Sequence, residues 1–224
     1  GEMWNKVNCF HFNSELAREV FERRLVIGDA KKTVIPICNS NCRDNRRVRY
    51  INGVVKIAYL GNNSYYKGFP ILKNVADNLW RAGYLFELNV YFKEIDDDDK
   101  PYIKRHLAYN SVELAAILEK IDLVVVPSVW KETFGLVVLE ALSNGVPVVV
   151  TENVGAKMLL EKYGEFGRIC KPTTGDLYNS LKEILDNPAI LKYWSENIYN
   201  SNLPLSMKEH TRQIIERCYG DENE

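Results

Sequence analysis

Two valine-rich runs, Asp122–Val126 (DLVVV) and Val146–Val150 (VPVVV), leave this chain few ways to fold. Apolar runs this short, built from β-branched residues, suit parallel strands covered on both faces. Between them Gly135–Asn144 reads as a helix, closed by Gly145 in the usual position past a helix C-terminus. Strand, helix and strand in that order make a right-handed crossover unit. The alternation continues upstream. Val54–Leu60 reads as a strand ending at Gly61, and Leu72–Ala82 places Leu72, Val75, Ala76, Leu79 and Trp80 on one side of a helix. Leu85–Phe92 is a second strand, and Ser111–Lys120 follows as a helix with Ser111 as N-cap. The expected fold is α/β, a Rossmann-like parallel sheet flanked by helices, with ligands outside the carboxyl ends of its strands.

The two ends fit this frame less well. Val7–Phe12, Ser14 with a helical Glu15–Arg24, and Thr33–Ile37 look like one strand–helix–strand piece of another sheet. Asn39–Asn52 is polar and charged without an apolar period, and reads as a linker. Leu205–Tyr219 is a final helix capped by Ser206. The expected organisation is therefore residues 1–38, a linker at 39–53, a main domain at 54–204, and a C-terminal helix and tail at 205–224.

Bulk properties narrow the partners. At 224 residues, with 46% hydrophobic and 26% charged, the composition is that of a globular α/β protein. Twenty-nine Lys and Arg against 30 Asp and Glu give a formal charge of −1, which argues against nucleic acid as the main partner. Arg43, Arg46, Arg47 and Arg49 cluster locally; the cluster reads as a solvated linker, with an anionic-lipid patch as the alternative. No stretch approaches the roughly 18 apolar residues of a membrane span. Gly1–Asn5 carries no signal-peptide core and reads like a chain beginning in mid-domain. Five scattered cysteines (Cys9, Cys38, Cys42, Cys170, Cys218) lack a zinc-like spacing and read as reduced thiols.

The chemistry concentrates in Pro127–Val150 (PSVWKETFGLVVLEALSNGVPVVV). A strand ends, a short loop carries Glu132, and a helix opens near Gly135. A helix start leaves about four backbone N–H groups unpaired, and its dipole favours negative charge there. Such a junction at a strand's carboxyl end seats phosphate, and a glycine lets the ligand approach the backbone. Glu140 lies further along an otherwise apolar helix, where a carboxylate needs a partner. Carboxylates accept paired hydrogen bonds, which suits sugar and ribose diols. A second loop, Gly61–Gly68 (GNNSYYKG), follows a strand end and offers Lys67 as a movable cation. The Asp-x-Asp pattern in Asp96–Asp99 reads as a solvated loop. His11, His106 and His210 read as structural, His106 being the one near the ligand side. Trp80 and Trp194 read as packing, and Trp130 as a residue of the pocket rim.

Glu132 and Glu140, with Phe134-Gly135, Glu140-Ala141, Gly145 and Pro147, resemble the E-x7-E signature of the retaining, GT-B-fold glycosyltransferases of the GT4 family. Gly61…Lys67-Gly68 is similar to that family's glycine–lysine loop. The resemblance covers roughly Val54–Asn197, including Gly167–Pro172 and Asp176-Leu177, while Ser14 and Ile35-Pro36 resemble the end of the family's N-terminal domain. It implies the nucleotide-sugar-binding half of a two-domain enzyme, with a remnant of the acceptor-binding half. Glu132 would hold donor-sugar hydroxyls and Glu140 the ribose diol. The main chain of Thr133, Phe134, Gly135, Leu136 and Val137 would meet the distal phosphate and sugar. Gly61 and Asn62 would line the donor, and Lys67 would neutralise the departing diphosphate. Lys67 and Glu132 are thus the expected catalytic pair. The resemblance implies transfer with retention and no metal or other cofactor, the NDP-sugar (UDP first, GDP next) being substrate. The reduced thiols point to a cytoplasmic location, compatible with peripheral contact at the inner membrane face, and the resemblance implies an acceptor that is a glycan, a lipid or a small molecule. Three positions depart from the pattern: Asn62 replaces the phosphate-binding arginine, Tyr91-Phe92-Lys93 lacks glycines, and Met158 replaces a common glutamate. Asn62 favours, as an alternative, a sugar-nucleotide-binding module without turnover. A nucleotide-sugar epimerase of the same fold is the other alternative, and the E-x7-E spacing argues against it.

Overall fold

The computed structural model describes residues 6–26, 28–38, 44–92 and 100–220. Gly1–Asn5, Cys42, Arg43, Lys93 and the Asp96–Asp99 pattern lie outside them. Near the N-terminus, β1 (Cys9–Phe12) and β2 (Lys31–Val34) pair in parallel across α1 (Glu15–Glu22). Ser14 caps α1, its hydroxyl accepting from the Ala17 N–H at 3.0 Å. The expected second strand at Thr33–Ile37 starts two residues and ends three residues earlier, its register closing at Val34 with a last main-chain bond from Ile35 to Phe12.

The main sheet holds β3 (Val55–Tyr59), β4 (Phe86–Tyr91), β5 (Ile103–His106), β6 (Leu123–Val126), β7 (Val148–Thr151) and β8 (Gly167–Cys170). Its order is β5-β4-β3-β6-β7-β8, and every pairing is parallel. The chain builds outward from β3 in one direction, then returns to β6 and builds outward in the other. That reversal leaves a crevice between the carboxyl ends of β3 and β6. All of β6 and β7 is buried, as the valine runs require.

Helices α2 (Phe69–Arg81), α3 (Leu114–Leu118), α4 (Leu136–Ser143), α5 (Lys157–Tyr163), α6 (Thr174–Asp186), α7 (Ala189–Asn200) and α8 (Met207–Ile214) cover the sheets. One core gathers Leu118, Val138, Leu142 and Leu159 on one face of the large sheet; another gathers Leu72, Leu79, Leu181 and Trp194 on the other. Met158, where a glutamate was expected from the resemblance, joins Phe10, Phe12 and Val34 in a third cluster that binds α5 to the small sheet.

Three expectations are corrected. Ser111 does not cap α3; Asn110 Oδ1 accepts from the Val112 and Glu113 N–H groups, and the helix proper starts only at Leu114. The last helix takes its cap from Ser206 as expected but passes at Ile215 into a π-helical turn ending at Tyr219. Two arginines of the cluster, Arg46 and Arg49, are not solvated, whereas Arg47 is half-exposed beside Glu119. Arg49 is 7% exposed and its guanidinium donates to the carbonyls of Glu119 and Ile121 at 2.7 and 2.8 Å, closing the C-terminal end of α3. Arg46 donates to the carbonyls of Ile198 and Ser201 at the end of α7 while pairing with Asp44. These cations satisfy helix ends far away in sequence, so no local pattern announced them. No helix among the described residues is long and apolar enough to cross a membrane.

Candidate functional site

Both loops singled out in the sequence open into the crevice between β3 and β6. A cleft of about 400 Å³ is lined there by Gly61, Asn62, Lys67, Ser128, Glu132 and Gly135, among others. The first loop is shaped by a 3-10 turn at Tyr65–Lys67, entered by a Ser64 cap and left through Gly68. Gly68 has φ 79°, and a Cβ there would overlap the Pro127 carbonyl oxygen. Only glycine lets the two loops meet so closely. Their main chains are also joined: the N–H groups of Val129 and Trp130 both donate to the Tyr66 carbonyl, at 3.0 and 3.1 Å.

That contact brings Lys67 to Glu132. The lysine Nζ lies 3.0 Å from Glu132 Oε2, while the buried Ser128 hydroxyl donates to Oε1. Lys67 is half-exposed and Glu132 is 13% exposed, so the pair sits at the cleft wall with its cation toward solvent. The backbone of Glu132 is fixed too, its N–H donating to Asn153 at 2.8 Å and its carbonyl accepting from Gly155 at 3.0 Å. Tyr59 donates to the Asn62 carbonyl at 2.7 Å, and burial together with the Glu132 charge pushes its phenol pKa up.

At the start of α4, Gly135 is the N-cap, with φ 97° and no side-chain cap bond. Among the described residues, nothing accepts from the N–H groups of Gly135, Leu136 or Val137. Phe134 is buried, and its carbonyl accepts from Ala156 at 2.7 Å. The Thr133 carbonyl accepts from the Ser14 hydroxyl, which ties the small sheet to this loop. Sequence reasoning missed that tie, although the glycine at 155 was its visible sign: a Cβ there would overlap both Thr133 and Ser14.

Glu140 lies about a turn and a half along α4 from the free amides. It is half-buried, and no described side chain hydrogen-bonds or ion-pairs with its carboxylate. Burial raises its pKa above the ordinary carboxylate range. Burial also pushes the phenol of Tyr109 up to about 12, and the charge of Glu140 adds to that rise. The native state therefore keeps the Glu140 proton to higher pH than the unfolded chain does. Between the unfolded and folded pKa values the native state binds more protons, so stability falls as pH rises through that window. Glu140→Gln is expected to raise stability at neutral pH and to flatten that decline in urea melts taken from about pH 4 to 7. A variant no more stable than the parent at neutral pH would show that the carboxylate is compensated within the fold.

The remaining candidates divide cleanly. His106 stacks on Tyr91 with ring centres 4.4 Å apart, and its Nε2 meets Asn89 Oδ1 at 2.9 Å, so it packs at the outer strands. Trp194 is buried and Trp80 packs on Tyr102, whereas Trp130 is exposed beside the cleft. Asn62 is exposed, and Lys67 is the one cation lining the cleft among the described residues.

A family model described as glycosyl transferases group 1 matches residues 103–201, somewhat under half of the chain and inclusive of Glu132 and Glu140. Glycogen synthase of Mycobacterium tuberculosis is 40% identical over 81 residues, which are 36% of this chain and 19% of that protein. Among solved structures, sucrose-phosphate synthase from Thermosynechococcus elongatus superposes with a TM-score of 0.67 at 19% identity, covering 91% of this chain and 53% of that one. HepE of Anabaena, solved in complex with UDP and glucose, gives 0.65 at 15% identity, covering 86% and 57%. At these identities the structural likeness is one of fold, and the chain spans about half the length of each. Over residues 103–201, then, the chain is similar to the glycosyl transferases of group 1.

Proposed function

We propose that the cleft between β3 and β6 binds a nucleoside-diphosphate sugar and, with an acceptor-binding domain, transfers the sugar with retention and without a metal. The observation that carries this reading is the meeting of Lys67 and Glu132 at 3.0 Å beside the unpaired amides of α4. A diphosphate entering here finds a half-exposed ammonium and a helix N-terminus, both favourable to negative charge. Lys67 turns from Glu132 to phosphate, which frees a carboxylate oxygen for the sugar hydroxyls. Glu140, half-buried and without a protein partner, takes the ribose diol. The acceptor oxygen then bonds to the anomeric carbon as the bond from that carbon to the phosphate oxygen breaks. The electron pair leaves on the diphosphate, and the acceptor proton follows to a phosphate oxygen. UDP is the favoured nucleotide, in keeping with the UDP present in the HepE structure.

The test is calorimetric titration of the chain with UDP, GDP and ADP in the presence of a chelator. UDP is expected to bind selectively, and Glu140→Ala to weaken it by about 10–100-fold, as loss of charge-assisted hydrogen bonds does. A folded chain that binds none of the three, or a Glu140→Ala variant with unchanged affinity, overturns the assignment. The exposed Asn62 and the single cation that lines the cleft among the described residues favour a second reading, a nucleotide-sugar-binding module without turnover. That reading predicts the same titration but no transfer by the full-length protein.

A further inference from the structure

The two loops that join Lys67 to Glu132 also carry three aromatic residues whose exposure the fold does not explain. Tyr65, Tyr66 and Trp130 are 61%, 60% and 62% exposed. Tyr66 and Trp130 meet edge to face with ring centres 5.5 Å apart, and Tyr65 meets Tyr66 at 6.2 Å. The main chain that carries them is fixed. The Tyr66 carbonyl takes two main-chain hydrogen bonds from Val129 and Trp130, and the Ser64 hydroxyl accepts from the Tyr66 N–H at 3.2 Å. Leaving three large rings in water on a fixed support forgoes a sizeable apolar gain, and such patches mark binding surfaces.

Position and chemistry name the ligand. Tyr66 is the neighbour of Lys67 in sequence, and Trp130 stands two residues before Glu132, yet neither ring lines the cleft itself. The aromatic cluster therefore borders the reacting end of the proposed donor site. A sugar ring presents an apolar face of C–H groups edged by hydroxyls. Tyr and Trp present the complement, a flat apolar body with a hydrogen-bonding tip. Three such rings in a row offer several faces, which suits more than one sugar unit.

We propose that Tyr65, Tyr66 and Trp130 form a stacking subsite for a saccharide acceptor, a reading that rests on the donor cleft described above. The experiment follows the Trp130 indole N–H resonance, assigned through Trp130→Phe, in the full chain with UDP present. Maltotriose, chitotriose and xylotriose are titrated to millimolar concentration as probes. At least one trisaccharide is expected to shift the indole signal saturably, and Tyr66→Ala to weaken that binding by about 10-fold while UDP affinity stays unchanged. UDP binding with no response to any trisaccharide overturns the subsite. Capture of the chain by phosphatidylglycerol vesicles that is lost in Trp130→Ala also overturns it, in favour of a lipid surface. A saccharide response without UDP binding would sink the donor reading and leave the subsite standing.

Discussion

Under the proposed transfer, with an acceptor-binding domain supplied, Lys67→Ala is expected to lower turnover by about 10²–10³-fold, the usual cost of removing one preorganised group that meets transition-state charge. The effect is at the large end because no second cation lines the cleft among the described residues. Where a partner arginine was expected, Asn62 contributes only a carbonyl to Tyr59 and an exposed side chain. Stability should barely change. The Lys67–Glu132 pair is half-exposed on the lysine side, and such pairs contribute about 0–1 kcal/mol. Glu132 also keeps the Ser128 hydroxyl. Steady-state kinetics beside a thermal melt therefore separates the two roles. A loss of less than about 10-fold would mean that the free amides of α4 carry the leaving charge without the lysine.

Gly68→Ala is expected to be the most damaging single methyl in the site. The position has φ 79°, which costs an ordinary residue about 1–2 kcal/mol. The added Cβ also overlaps the Pro127 carbonyl, which belongs to the backbone and cannot rotate away. Together these should exceed about 3 kcal/mol, a fall in Tm of about 6–12 °C for a chain of this size. Relief requires the 61–68 loop to back away from β6, and that movement separates Lys67 from Glu132. Nucleotide affinity should therefore fall with stability in calorimetry and thermal melts. A Tm within about 2 °C of the parent would show that the loops pack with slack at this point.

Four of the six strands of the large sheet were legible because their determinants are local, whereas the edge strands β5 and β8 were not read as strands. The runs around β6 and β7 are uninterrupted, the stripe of Leu72, Val75, Ala76 and Leu79 has helical spacing, and Gly145 closes α4. Helix α2 begins three residues before the expected Leu72, since Phe69 and Pro70 suit a first turn. The site was legible in part. Loops at the carboxyl ends of β3 and β6 had to face a common crevice once the strand order reversed there, and both were visible as strand-to-helix junctions. Contacts that depend on long-range approach were not legible. Arg49 reaches the end of α3 across some 70 residues, and Ser14 reaches Thr133 across 119. Nothing in the immediate neighbourhood of either residue signals its partner. The aromatic cluster fell between these cases: Trp130 was visible as a rim residue, but Tyr66 could be joined to it only through a shared carbonyl.

The Ser14 hydroxyl serves two masters at once. It accepts from Ala17 to begin α1 and donates to the carbonyl of Thr133, the residue next to Glu132. Its side chain also lies against Gly155, in the same layer that holds the Glu132 backbone. The small sheet and the Glu132 loop are thus geared together through one tooth. A rotation of β1, α1 and β2 against the large sheet must either shear that tooth or drag the Glu132 loop with it. Whatever moves one half of the molecule is mechanically reported at the carboxylate that would grip the sugar.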